Sequence, residues 1–128
     1  NNVNLKNICK KNKFTVLMFW ASHCTHCMTE LPGFASWYNK NLNRDFEIIA
    51  VSLDRSEKKW KQTVTDNNFN WRNLCQFKDN VGLVYKSPIC VDYKIKKTPT
   101  MFVLNKNMQI VAKPKSTHQL RSFLLSNK

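Results

Sequence analysis

The chain holds few of the residues that break or crosslink regular structure. Glycine occurs twice in 128 residues, which excludes collagen-like repeats and glycine-rich linkers and fits a domain built mainly of helices and strands. Five cysteines (Cys9, Cys24, Cys27, Cys75 and Cys90) are too few for a disulfide-rich scaffold, and their odd number leaves at least one thiol without an intramolecular partner. The longest apolar run, Val16 to Ala21, is far short of the roughly 18 residues a membrane-spanning helix requires. No initiator methionine, basic leader or apolar signal core precedes Asn1, so the chain is expected to be a mature protein or excised domain whose targeting signal has been removed.

Acidic side chains are also scarce, eight against 21 lysines and arginines, for a formal charge of +13. Such a field raises the question of nucleic acid, anionic lipid or an acidic protein as partner. The basic runs Lys6, Lys10, Lys11, Lys13 and Lys94, Lys96, Lys97 are not interleaved with stacking aromatics and join no nucleic-acid motif. A solvated lysine-rich surface is the preferred reading, and no nucleic-acid partner is expected.

A hydrophobic fraction of 42%, with eight Phe, four Trp and three Tyr, excludes intrinsic disorder. The length suits one domain over residues 1–128, with 1–13 a less ordered or helical lead-in. Phe14 to Trp20 is rich in aromatic and β-branched residues and reads as a strand buried on both faces. After it, Leu31, Phe34, Ala35, Tyr38 and Leu42 recur at threes and fours, predicting an amphipathic helix to about Leu42 that Pro32 should kink. Phe46 to Leu53 reads as a second buried strand, and Ser56 to Asn67 as a helix. The order β, α, β, α predicts parallel strands with helices on the sheet faces.

Asn68 to Ser87 shows no clean period and reads mostly as loop, although Trp71, Leu74 and Phe77 need burial. Pro88 to Tyr93 is expected to form a short helix. Thr100 to Leu104 and Gln109 to Ala112 flank the polar turn Asn105-Lys106-Asn107 and predict an antiparallel hairpin. Leu120, Phe123 and Leu124 then mark a terminal helix over Ser116 to Ser126. The fold class is therefore α/β with a mixed central sheet.

The chemistry concentrates in Cys24-Thr25-His26-Cys27. Where a strand ends and a helix begins, the first thiol meets unpaired backbone N–H groups and the positive helix end, and both stabilise a thiolate. Cys24 is expected to be solvent-facing with a depressed pKa, and Cys27, one helical turn on, to be the buried resolving thiol. A Cys-x-x-Cys also binds zinc, and His23 and His26 lie within the same few residues. Tetrahedral zinc sites usually draw on two separated pairs, however, and Cys75 and Cys90 lack the spacing of a second knuckle, so redox chemistry is preferred and no metal is expected. Haem attachment would need His where Met28 stands. Cys75 and Cys90 form a bridge only if the fold brings them within reach, and buried inert thiols are the blander alternative.

Trp20-Ala-Ser-His-Cys-Thr-His-Cys27, then Glu30-Leu-Pro32, then Thr98-Pro99-Thr100 resemble the thioredoxin superfamily, particularly its extracytoplasmic TlpA/ResA-like branch. The resemblance runs in matching order from about Phe14 to the C-terminus. It implies a thioredoxin fold, a sheet of four to five strands with flanking helices. Pro99 would be the cis-proline beside the cysteine pair, leaving the Thr98 backbone free to pair with an extended substrate; an ordinary trans proline opening a strand is the alternative. Trp20, His23, His26, Thr98 and Pro99 would then form the substrate surface.

In that branch an acid three residues after the second cysteine tunes or deprotonates the thiols, a role that would fall to Glu30; a Glu favoured by the helix dipole is the alternative. Thioredoxin itself has a buried Asp in the strand before the motif, where this chain has Met18, and the departure shifts weight to Glu30. His26, just before the second cysteine, is similar to protein disulfide isomerases and DsbA-type oxidants, where it favours the reduced thiolate.

The resemblance thus implies a thiol-disulfide oxidoreductase acting on protein cysteines. It would use no cofactor beyond its own sulfurs and be recharged by an upstream redox partner, outside the cytoplasm, with a possible membrane tether outside this segment. A reductase is the leading expectation, with a disulfide-forming oxidase or isomerase behind it. Peroxidase chemistry of the peroxiredoxin kind would need Pro and Thr where Leu17 and Ala21 stand. A non-catalytic module that keeps the thioredoxin shape and recruits an acidic partner by its charge is the reading from another class.

Overall fold

A computed structural model of the chain describes residues 4–75 and 97–128. The expected helix over Pro88 to Tyr93, Phe77, Cys90 and the lysines at 94 and 96 lie outside the described residues. Within them the order is α1 (Leu5–Lys11), β1 (Phe14–Trp20), α2 (Thr25–Lys40), β2 (Phe46–Ser52), α3 (Glu57–Asp66), β3 (Arg72–Cys75), β4 (Thr100–Leu104), β5 (Ile110–Ala112) and α4 (Thr117–Ser126).

The five strands form one mixed sheet in the order β3-β2-β1-β4-β5. β1 runs parallel to β2 from Phe14↔Phe46 to Trp20↔Ser52, and β2 runs parallel to β3. β4 is antiparallel to both β1 and β5. A strand paired on both edges and covered on both faces must be apolar throughout, and β1 is buried from Thr15 to Trp20. Alternation divides its side chains. Val16, Met18 and Trp20 enter one core with Leu31, Phe34 and Tyr38 of α2 and Leu120 and Leu124 of α4. Leu17 and Phe19 enter the other, beneath Leu5 and Cys9 of α1. Each large apolar side chain so removed from water contributes about 1.5–3 kcal/mol.

Polar side chains mark the helix starts. Asn4, Ser56 and Ser116 cap α1, α3 and α4 by accepting the N–H groups of Asn7, Lys59 and Gln119. The helix α2 continues through Pro32 and ends at Lys40. There the Asn41 N–H bonds the carbonyls of Trp37 and Tyr38, and the Arg44 guanidinium donates to the carbonyls of Tyr38 and Asn41 while lying 3.9 Å from the Tyr38 ring centre.

Two expectations require correction. Leu42 was assigned to the apolar face of α2, but the helix has already ended and the side chain is 81% exposed. The stretch from Asn68, expected to be mostly loop, contains β3. This strand has four residues and hydrogen-bonds only to β2 at the sheet edge, so it is too short for a period to emerge. It buries Leu74 and Cys75 and is preceded by Trp71, which stacks on Phe69 with ring centres 5.0 Å apart.

These placements predict opposite outcomes for two leucines. Leu17→Ala should lower the unfolding free energy by about 2–5 kcal/mol, whereas Leu42→Ala should change it by less than about 0.5 kcal/mol, both read from urea denaturation of the reduced protein.

Candidate functional site: a dithiol at the start of α2

The parallel strands β1 and β2 both end at the edge of the sheet where α2 begins. After Trp20 the chain turns through Ala21 to Cys24, whose N–H bonds the Ala21 carbonyl at 3.1 Å. Cys24 is the N-cap of α2: its sulfur accepts the Cys27 N–H at 3.2 Å, the place a Ser or Asp oxygen takes elsewhere. From the far side of the sequence, the Thr98 carbonyl oxygen accepts from the Cys24 thiol at 3.3 Å. The Thr98-Pro99 peptide is cis, and Pro99 is buried. Cys24 is partly exposed, whereas Cys27 has no exposed surface.

The two thiols are driven apart in acidity. Burial pushes Cys24 up, but hydrogen bonds from the Cys27 thiol, the Thr98 side chain and the backbone N–H groups of Cys27 and His26 outweigh it, leaving its pKa below the ordinary value. Cys27 is pushed up to about 12, first by burial and then by its hydrogen bond to Cys24. The outer sulfur is thus the more acidic of the two, and the inner one holds its proton more tightly.

Glu30 lies on the next turn of α2, and its carboxylate reaches across to α4 rather than standing free. One oxygen accepts from the Thr117 N–H at 2.7 Å and the Thr117 hydroxyl at 3.0 Å. The other oxygen lies 2.6 Å from Nε2 of His26. A chain of polar contacts therefore connects the residue between the cysteines to the first turn of α4. His23 is 79% exposed, with Nδ1 3.6 Å from Asp54 Oδ1. Trp20, expected at the substrate surface, is instead fully buried beneath the cysteine turn, edge-on to Phe69, and so supports the site from below. His118 is exposed on the first turn of α4.

Asp54, just beyond the end of β2, is a site residue that the sequence reading missed. Only 3% exposed, its carboxylate accepts from the Ser22 N–H at 3.0 and 3.1 Å, from the Ser22 hydroxyl at 2.7 Å and from the Ser52 hydroxyl at 2.6 Å. It ties the arm carrying Cys24 to the sheet. The available signal was an acid closing a buried parallel strand, the end of the sheet where α/β sites gather. The Cys75 thiol, buried at the end of β3, lies 3.7 Å from the Asp54 carbonyl, while Cys9 sits in the opposite core with its thiol pushed up by burial. Among the described residues no three His, Cys, Asp or Glu side chains converge as metal ligands.

This geometry defines a class: a mixed sheet presenting a low-pKa thiol at a helix N-terminus over a buried partner thiol and beside a Thr-Pro turn. The chain belongs to the thioredoxin-like family, whose model matches residues 12–110. It is 34% identical over 104 residues to sporulation thiol-disulfide oxidoreductase A of Bacillus subtilis, covering 81% of this chain and 60% of that protein. It is 27% identical over 125 residues to the thiol-disulfide oxidoreductase ResA of Bacillus cereus, covering 95% of this chain and 66% of the relative. The chain thus spans less than two thirds of each of these relatives. The solved thioredoxin domain of a thiol-disulfide oxidoreductase from Bacteroides vulgatus superposes with a TM-score of 0.72 at 26% identity, over 97% of this chain and 86% of that one.

Among the described cysteines, alkylation of the reduced protein should modify Cys24 first, with a half-maximal rate at a pH below the ordinary thiol value of 9.0, and leave Cys27 protected; mass spectrometry after iodoacetamide at graded pH reads both. The raised Cys27 pKa carries a stability consequence. Between pH 9.0 and about 12 the unfolded thiol has lost its proton while the folded one retains it, so the reduced protein should lose stability as pH rises through this window, and Cys27→Ala should flatten the slope. Asp54→Asn places an amide donor against the Ser22 N–H and should cost about 1–3 kcal/mol, with slower alkylation of Cys24.

Proposed function

We propose that the chain is a thiol-disulfide oxidoreductase that exchanges the Cys24-Cys27 dithiol with disulfides of other proteins. The observation that carries this reading is the Cys24 sulfur itself, part-exposed and serving as the cap of α2 while its partner lies buried one turn below. The Cys24 thiolate attacks one sulfur of a substrate disulfide, forming a mixed disulfide and expelling the other sulfur as a thiolate. Cys27 gives up its proton and attacks Cys24; the substrate's second sulfur leaves, and the Cys24-Cys27 disulfide remains. Two electrons pass to the substrate, and an upstream redox protein must return them. No cofactor beyond the two sulfurs enters the cycle.

Glu30 and His26 supply the proton path in this scheme, because their contact links a largely buried carboxylate, three residues after Cys27 on the same helix, to an imidazole that is 64% exposed. His23, His26, Thr98 and Pro99 form the surface on which an extended substrate lies, with the Thr98 backbone beside the reacting sulfur. Work outside the cytoplasm, with a tether beyond this segment, is the setting we assign by likeness to the ResA-type relatives.

The surroundings of His26 support a direction for electron flow. A free imidazolium beside Cys24 would stabilise the thiolate and make the disulfide a strong oxidant. Here a carboxylate 2.6 Å from the ring offsets that charge, which favours a reductase. Equilibration in graded thiol buffers should give a potential near the thioredoxin end of the scale, about −270 mV, and a value toward about −120 mV would reverse the assignment. Cys24→Ser should abolish the transition. Glu30→Gln, by removing a negative charge from beside the motif, should move the potential in the oxidising direction by roughly 15–30 mV.

A further inference from the structure

The carboxylates of the described residues are distributed unevenly between the two poles of the fold. At the pole of Cys24, each acidic side chain among the described residues is already engaged. Asp54 is buried under Ser22 and Ser52, Glu30 is held by Thr117 and His26, and Glu57 is paired with Lys61 at 3.0 Å. The exposed acids without an ion pair among the described residues, Asp45 and Asp66, lie at the other pole. Asp45 precedes the first residue of β2, and Asp66 ends α3, which runs back from the site.

Exposed cations and imidazoles meanwhile occupy the pole of the reactive sulfur. His23 and His26 bracket Cys24 and are exposed, and exposed Lys97 precedes the Thr98 carbonyl that touches the sulfur. Arg55 is exposed next to Asp54, which lies 3.6 Å from His23. Lys115 and His118 are exposed on either side of Thr117, whose N–H is 2.7 Å from Glu30. Two of the chain's three histidines thus flank the reactive cysteine in sequence, and the third is exposed on the turn of α4 that Glu30 contacts. The N-termini of α2, α3 and α4 open at this same end and add their partial positive charge.

We propose that this rim selects protein disulfides flanked by acidic residues. The proposal rests on the oxidoreductase reading and names its substrate class: extended segments with Asp or Glu close to the cystine. Net charge alone does not produce the selectivity, because lysines occupy both poles; the absence of an uncommitted carboxylate among the described residues at this pole does. From those residues an acidic segment approaching Cys24 meets attraction and a basic one repulsion.

The test uses the reduced protein and peptide disulfides that differ only in whether the flanking residues are glutamate, glutamine or lysine. At low salt the glutamate peptide should react about tenfold faster than the lysine peptide, and the gap should close toward 1 M sodium chloride, where screening acts within roughly 3 Å. Arg55→Glu and Lys115→Glu should each narrow the gap. Lys106→Glu, an equal charge change in the β4-β5 turn at the far pole, should leave it intact. Rates blind to flanking charge, faster reaction of the lysine peptide, or equal narrowing by Lys106→Glu would overturn the proposal while leaving the redox reading standing. If the glutamine peptide reacts no faster with the wild type than with Cys24→Ser, the redox reading fails and takes this one with it.

Discussion

The hydrogen bond from the Cys27 N–H to the Cys24 sulfur organises the site. A helix of 16 residues begins with N–H groups that have no partner within the helix, and here the residue that must satisfy them is a cysteine. The demand of the helix end and the chemistry of the thiol then point the same way. What completes the cap also favours the thiolate over the thiol, and it places the second cysteine one turn below, where burial raises its pKa. The acidities of the two sulfurs and their places in the chain follow from one local contact.

That contact is held in place by groups well outside the motif. The fully buried β1 delivers the chain to the edge of the sheet, and Asp54 fastens Ser22 so that the arm cannot swing. The Thr98 carbonyl closes the other side. Glu30 fixes the orientation of His26 by leaning on α4. Two buried or half-buried carboxylates thus spend their lone pairs on alignment behind Cys24, while the exposed histidines and Lys97 beside it carry no negative charge.

Much of this was legible in the residues themselves. β1 and β2 are continuous apolar runs, α2 and α4 carry a clear helical period, and a cysteine pair directly after a buried strand announces a helix start. What escaped was set by distance. Arg72 and Asn73 form a strand only because β2 offers an edge, and nothing in those few residues encodes that. Leu42 fits the period of α2, but the period cannot reveal that Asn41 and Arg44 close the helix first. The contact of Thr117 with Glu30 spans 87 positions, and the burial of Trp20 depends on Phe69. The importance of Asp54 comes from two serines that the fold alone brings to it.

The grip of Asp54 on Ser22, across 32 positions of chain, has a meaning for how sequences of this kind can drift. A change at position 54 strands a backbone N–H and a hydroxyl, and a change at position 22 leaves a buried charge short of a donor. Neither side chain can be replaced alone at small cost. A substitution at one is tolerated only with a matching change at the other, and the residue two places before Cys24 is thereby answerable to an acid just beyond the end of β2.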